Sequence, residues 1–285
     1  MSDQSSHPNR NLDPKVVAGF GDEWRRFSNR EVDSDELISM FEAYASIFPW
    51  EELPPDPVGF DAGCGSGRWA MFFADRVGHL HCVDASDDAL AVARETLGDR
   101  EDVTFHHATL EEMPIASKSC DFGYSLGVLH HIPDTESALA ACVDRLRPGA
   151  PFLVYLYYGL DGVGPLRRFL FRVVTVARGI VSRLPRRARV VAADLIALFC
   201  YLPLARTAAV VEYLGHDPSQ LPLFQYRDRS FYVMRNDALD RFGTQLEKRF
   251  NRLEVEELLA GAGLERIQFS EGPPWWVAVG RRARL

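Results

Sequence analysis

Cysteine is sparse and scattered in this chain. Its five residues, Cys64, Cys82, Cys120, Cys142 and Cys200, form no Cys-x-x-Cys pair. That argues against a disulfide framework or a thiolate zinc site, and for a reducing, cytoplasmic setting. A basic excess is missing as well: 32 lysines and arginines stand against 40 aspartates and glutamates, a net charge of −8. A general nucleic-acid binder has the opposite balance. No Gly-Lys-Ser/Thr tripeptide occurs, so no Walker-type phosphate loop is encoded. The opening run, Met-Ser-Asp-Gln-Ser-Ser-His-Pro, lacks the apolar core of a signal peptide. The apolar stretch 195–205 is interrupted by Pro203 and is shorter than the ~20 residues of a membrane span. No histidine spacing suggests a metal site, and no internal repeat is present.

What is present is glycine at three alternate positions. Residues 60–67 read Phe-Asp-Ala-Gly-Cys-Gly-Ser-Gly, directly after a short apolar run, and a second acid, Asp84, ends Leu-His-Cys-Val-Asp. Glycine adopts positive φ and lets a ligand approach the backbone. A strand, a glycine loop and a helix make a nucleotide site, and an acid closing the next strand accepts hydrogen bonds from ribose hydroxyls. A dinucleotide loop needs Gly-x-Gly-x-x-Gly; counted from Gly63 and Gly65, its third glycine would fall on Arg68. The loop therefore suits a nucleoside without phosphates.

Strand-like and helix-like pieces alternate around this motif. Strands are predicted at 58–61, 80–84, 103–107, 122–126 and 151–158, with helices at 68–77, 88–97 and 135–146. Gly78 and Gly98 would close the first two helices. Two amphipathic helices precede them, at 16–27, where Phe20, Trp24 and Phe27 share a face, and at 34–48. After residue 250 the pattern returns. Asn251 and Glu254 form a capping-box pair before a helix closed by Gly263, and strands at 264–269 and 275–280 follow. The fold class is α/β: a Rossmann-like, mostly parallel seven-stranded sheet with helices on both faces and a helical insertion after the fifth strand. Four segments result: a disordered N-terminus (1–15), the core with its N-terminal helices (16–158), a helical cap (159–250) and the C-terminal part of the core (251–285).

The loop and acid resemble those of the class I S-adenosylmethionine-dependent methyltransferases, in particular the methyltransferase type 11 group. The resemblance covers 60–158 well and 251–280 loosely. It implies S-adenosylmethionine as cofactor, with S-adenosylhomocysteine as product, and an antiparallel pair finishing the sheet. Gly63, Gly65 and Gly67 would pass close to the ligand. Asp61 would hold the methionine end, directly or through water, and Asp84, followed by Ala85, the ribose. Relatives carry an acid where this chain has Thr109, so the adenine edge would meet that hydroxyl and the Leu110 amide. The backbone at Ser125 and Leu126 would flank the cofactor, before a family-like Leu-His-His stretch.

His130 or His131 is a candidate general base for a hydroxyl acceptor; fixing their own loop is the competing role. Phe20 and Trp24 either cover the sulfonium, as aromatic faces attract cations, or simply pack. Tyr155 and Tyr158 close the fifth strand, and alternation points Tyr155 and Tyr157 one way and Tyr158 the other. In the insertion, Arg227, Arg229 and Tyr232 suit an acidic or sugar-like acceptor, or surface ion pairs. Eight arginines between Asp161 and Asp194, with no acid among them, mark a helical lid or a helix lying on an anionic membrane. The function expected is methyl transfer to a small molecule, with oxygen favoured. The rivals are a nicotinamide-dependent Rossmann oxidoreductase and a non-catalytic or membrane-surface binding module. A cytoplasmic protein with peripheral membrane contact fits this reading.

Overall fold

The computed structural model describes residues 11–28, 32–159 and 165–284, without the side chains of 165–171. Seven strands form one sheet in the order β3-β2-β1-β4-β5-β7-β6. They are β1 (Val58–Ala62), β2 (His79–Asp84), β3 (Val103–His107), β4 (Phe122–Leu126), β5 (Pro151–Tyr155), β6 (Leu264–Phe269) and β7 (Val277–Arg282). β1 to β5 are parallel, and β7 runs antiparallel to both its neighbours. The strand order reverses between β1 and β4, where ligands of such sheets bind.

The central strands β1, β4 and β5 are buried on both faces, as expected of a parallel sheet covered by helices. Leu153 and Tyr155 of β5 join one core with α2 (Ser34–Ala45), α3 (Ala70–Ala74) and α4 (Asp87–Leu97). Phe152 and Val154 join the other, with α5 (Thr135–Arg145) and α10 (Arg252–Gly261). Two phenylalanine rings fit between β1 and β4 because glycines stand opposite them: Gly59 pairs with Phe122, and Phe60 with Gly123. A Cβ at Gly59 would lie 2.2 Å from the Phe122 ring. The capping box at Asn251 and Glu254 is present, at 2.7 and 2.8 Å.

Several expected boundaries shift. α3 stops at Ala74 rather than at Gly78, because Asp75 caps it and the chain turns at once. Gly78 serves spacing instead: a Cβ there would stand 2.6 Å from the Asp56 carbonyl. Residues 11–15, expected to be disordered, are anchored, while 1–10 lie outside the described residues. The Asn11 amide donates to Glu111 at 2.5 Å and to the Asp134 carbonyl at 2.6 Å, and it accepts from the Asp134 amide at 2.7 Å. α1 (Pro14–Arg26) then starts on a proline behind an Asp13 cap.

The insertion holds α6 (Pro165–Val181), α7 (Arg186–Ile196), α8 (Leu202–Tyr213) and α9 (Phe231–Gly243). Pro203 does not break it. A π-helical turn at Ala197–Tyr201 joins α7 to α8, and Pro203 falls in the first turn of α8, where a missing amide costs least. Ala193, Ala197, Tyr201, Met234 and Ala238 form the cap's own core, which Phe27 from α1 completes.

Candidate active site

β1 and β2 end side by side, and the loop after β1 folds back over β2. The Gly63 and Cys64 amides both donate to the Val83 carbonyl, at 2.8 and 3.0 Å, and the Gly67 amide donates to Cys64 at 2.9 Å. The Gly65 amide donates to the Asp84 carboxylate at 2.9 Å. A phosphate-binding loop leaves such amides free for the ligand; here all four are engaged internally. The tight path requires φ of +84°, +54° and +75° at Gly63, Gly65 and Gly67, a region costly for side chains. A Cβ at Gly65 would also lie 2.8 Å from the Trp24 indole nitrogen.

Asp84 is held by a second backbone donor, the Ser86 amide at 2.8 Å. Burial raises its carboxyl above the ordinary value, and these amides pull it back. Each oxygen accepts one backbone bond and keeps further acceptor capacity. The acid is thus fixed in place and borders the cavity over the strand tips, which encloses about 930 Å³ of space, part of it open to solvent.

The cavity is roofed by α1 through Val16, Val17, Phe20 and Trp24. α1 can lie this close because Gly21 faces α4; a Cβ there would be 2.6 Å from Ser86 Oγ. Of the residues the sequence pointed to, Phe20, Trp24, Gly63, Gly65, Asp84, Ala85, Thr109, Leu110, Leu126 and His131 border the cavity. Asp61, Gly67 and Ser125 do not. Asp61 is only 2% exposed, burial pushes its carboxyl up to about 8, and its Oδ2 has no partner among the described residues. Gly67 faces Ala93 of α4, and the Ser125 hydroxyl donates to the Ala62 carbonyl at 2.8 Å, tying β4 to β1.

A second cavity adjoins the first and shares Phe20, Trp24, Arg68, Trp69, Leu126 and Gly127 with it. The Arg68 guanidinium lies 5.4 Å from the Trp24 ring and 4.4 Å from that of Trp69. Tyr155, Tyr157 and Tyr158 all border this space. The expected alternation fails because β5 ends at Tyr155 and the chain beyond is held differently: the Phe250 amide donates to Tyr157 at 3.0 Å. The cap supplies Asp237, Asp240 and Arg241 from α9; of these the sequence reading passed over Asp240 and Arg241, which lie within one helical turn of Asp237. The Tyr157 hydroxyl donates to Asp240 Oδ2, while Oδ1 is buried without a hydrogen-bond partner among the described residues. Burial pushes both carboxyls above the ordinary range.

The phenylalanine–tryptophan stripe of α1 therefore divides its roles: Phe20 and Trp24 face the cavities, whereas Phe27 packs edge-on against Tyr232 at 5.2 Å. Tyr232 borders neither cavity. Arg227 does, but it pairs with Glu212 at 2.6 Å. Arg229 borders the second cavity, and no side-chain partner is recorded for it among the described residues. Neither histidine reaches that cavity. His130 is fully buried and stacked on Tyr157 at 3.9 Å. His131 hydrogen-bonds through Nδ1 to the Leu246 carbonyl at 2.7 Å and presents Nε2 to Asp240 Oδ1 at 3.7 Å. Burial pushes His131 down to about 4 and His130 well below the ordinary value.

A reversed parallel sheet, a phosphate-free loop and an acid at the second strand tip define a class I S-adenosylmethionine-dependent methyltransferase domain. Residues 60–154 match the family model described as a methyltransferase domain, and that segment is a methyltransferase domain with S-adenosylmethionine as its methyl donor. A ubiquinone biosynthesis O-methyltransferase of Hahella chejuensis is 29% identical over 181 residues, 63% of this chain and 74% of that protein. One of Aromatoleum aromaticum is 30% identical over 146 residues, 50% of this chain and 61% of that one. Phosphoethanolamine N-methyltransferase 2 of Caenorhabditis elegans is 30% identical over 126 residues, 43% of this chain but 28% of the nematode protein. A chain from the complex of the Haloferax volcanii Trm112 methyltransferase activator with a methyltransferase shares the fold. Its TM-score is 0.50 at 14% identity, covering 93% of this chain and 98% of that one.

Proposed function

We propose that the protein transfers a methyl group to a hydroxyl oxygen of a small molecule bearing an acidic group. The observation that carries this reading is the pair of joined cavities: Asp84 and the glycine loop border one, and the buried Asp240–Tyr157 pair borders the other. When bound, S-adenosylmethionine supplies an electrophilic methyl and leaves as a neutral thioether. Asp84 accepts the ribose hydroxyls. Phe20 and Trp24 exclude water from the junction and offer ring faces to the sulfonium. In the second cavity, Asp240 takes the proton that the hydroxyl loses as the carbon–oxygen bond forms. The O-methyltransferases among the relatives support oxygen as the acceptor atom.

The acidic group follows from the charge balance. Four guanidiniums, of Arg68, Arg227, Arg229 and Arg241, border the acceptor cavity against two carboxylates. Arg229→Ala is expected to raise KM for an acidic acceptor about tenfold or more with kcat little changed, the loss of one charge-assisted hydrogen bond. An equal effect on a neutral analogue would remove Arg229 from recognition. The reading as a whole is tested by screening hydroxy acids, neutral phenols and amines with labelled methyl donor. Label in hydroxy acids supports it; label only in amines rejects oxygen as the acceptor. S-adenosylhomocysteine is expected to raise the melting temperature and NADH to leave it unchanged, because the Gly63, Cys64, Gly65 and Gly67 amides are already engaged within the protein.

A further inference from the structure

Thirteen large apolar side chains are exposed among the described residues, and eleven of them lie between Val173 and Leu214. Nothing in the methyltransferase reading explains that concentration. On α6, Val173, Val176 and Ile180 form one stripe; across α7 and the π-turn, Val191, Leu195, Leu198 and Phe199, which is 70% exposed, form another. α6 and α7 touch each other, and both pack on α9 by their opposite sides. The two stripes therefore look away from the cap core.

Arginine dominates the charges on these two helices. Arg172, Arg183 and Arg187 are exposed on the same two helices and the turn between them, with no acid at 162–193. Asp194 itself is engaged, by Arg26 at 2.9 Å and by Arg235 at 2.9 Å. Where the α6–α7 turn meets α1, Lys15, Arg183 and Arg187 border an open groove. Arg186, beside them, is paired with Asp22 at 2.8 Å. An exposed apolar face of this extent marks an interaction site, and arginines along its margin are the composition of a helix that lies in a lipid interface.

We propose that the outer face of α6 and α7 seats the protein on an anionic membrane surface, its apolar stripes entering the acyl boundary and its arginines meeting lipid phosphates. The helix lies on the bilayer and does not cross it. Arg186–Tyr213 has the length of a span, and an 18-residue stretch within it has a span's mean hydropathy, 1.8. Its inner face, however, buries Ala193, Ala197, Tyr201, Ala205 and Ala208 within the cap, and Asp194 holds its two ion pairs there. Crossing would strip all of these from their partners.

Co-sedimentation of the full chain with phosphatidylcholine vesicles, with and without phosphatidylglycerol, tests the proposal. Binding is expected to the anionic vesicles only, and it should weaken with added salt. The combined variant Arg172→Glu, Arg183→Glu, Arg187→Glu should reduce it at least about tenfold. Val176→Ser with Phe199→Ser should reduce it as well. Both variants should keep wild-type affinity for S-adenosylhomocysteine, which shows that they fold. Absence of sedimentation would overturn the proposal, as would equal binding to neutral vesicles or resistance to alkaline extraction. So would a light-scattering mass of a dimer that the Val176→Ser, Phe199→Ser variant converts to monomer, since the face would then be an interface between two copies.

Discussion

Asp84→Ala is expected to weaken S-adenosylhomocysteine binding by about a hundredfold or more, measured by calorimetry. Two hydrogen bonds from ribose hydroxyls to a charged acceptor are worth ~1.5–3 kcal/mol each, and about 1.4 kcal/mol is a factor of ten. The structure adds a reason to expect the upper part of that range. The same carboxylate receives the Gly65 and Ser86 amides, so its removal also releases the loop that shapes the cavity floor. Asp84→Asn separates the two contributions. The amide keeps one acceptor oxygen, yet its NH2 group must face either a backbone donor or a ribose hydroxyl. Its affinity should fall between those of wild type and Asp84→Ala. An Asp84→Ala protein with undiminished affinity would move the ribose site elsewhere.

The site was unevenly legible in the sequence, and the reasons are physical. The loop and Asp84 were readable because their chemistry is local: positive φ demands glycine, and the acid closes a strand. The same logic overreached at Gly67 and Gly78. Gly78 is glycine for lack of room against Asp56, and Gly67, whose φ of +75° does ask for glycine, faces Ala93 and not the cavity; one-dimensional spacing does not distinguish a close backbone approach from a ligand contact. Gly21 was missed for the mirror-image reason: it sits mid-helix, where nothing local asks for glycine, and only the packing of α1 on α4 reveals its purpose. Asp240 and Arg241 were passed over because their environment is made by other elements. On an isolated helix they look like a solvated face. Tyr157 from the end of β5, Arg68 from the β1 loop and Glu23 from α1 turn that face inward. One residue joins the parts: Asn236 donates to Glu23 at 2.6 Å and accepts from Arg68 at 3.5 Å, linking the cap, α1 and the cofactor loop.

Asp240→Asn should lower kcat by about 10² to 10⁴, the usual range for loss of a general base, with little change in cofactor affinity. The pH profile tells more than the rate. A base works as carboxylate, so wild-type activity should fall as pH drops through the raised Asp240 value and level off above it. The groups facing Asp240 sharpen the assignment. Tyr157 donates to it; Arg241, Arg68 and Arg178 hold it down; His131 stands 3.7 Å away and, pushed down to about 4, stays neutral across the working range. Glu23, raised by burial and by Asp240, keeps its proton beside the ionised base. Asp240→Asn should abolish the acid limb. A limb that survives in Asp240→Asn would assign the titration, and the base, to another group. Stability should run the other way. A carboxyl raised on folding keeps its proton where the unfolded chain has released one, so it lowers stability progressively as pH climbs from the ordinary carboxylate range through the raised value. A neutral amide that still accepts the Tyr157 hydrogen bond escapes that penalty. Asp240→Asn should melt no lower than wild type near neutral pH while having lost most of its turnover, a pairing expected of a residue kept for chemistry and not for the fold.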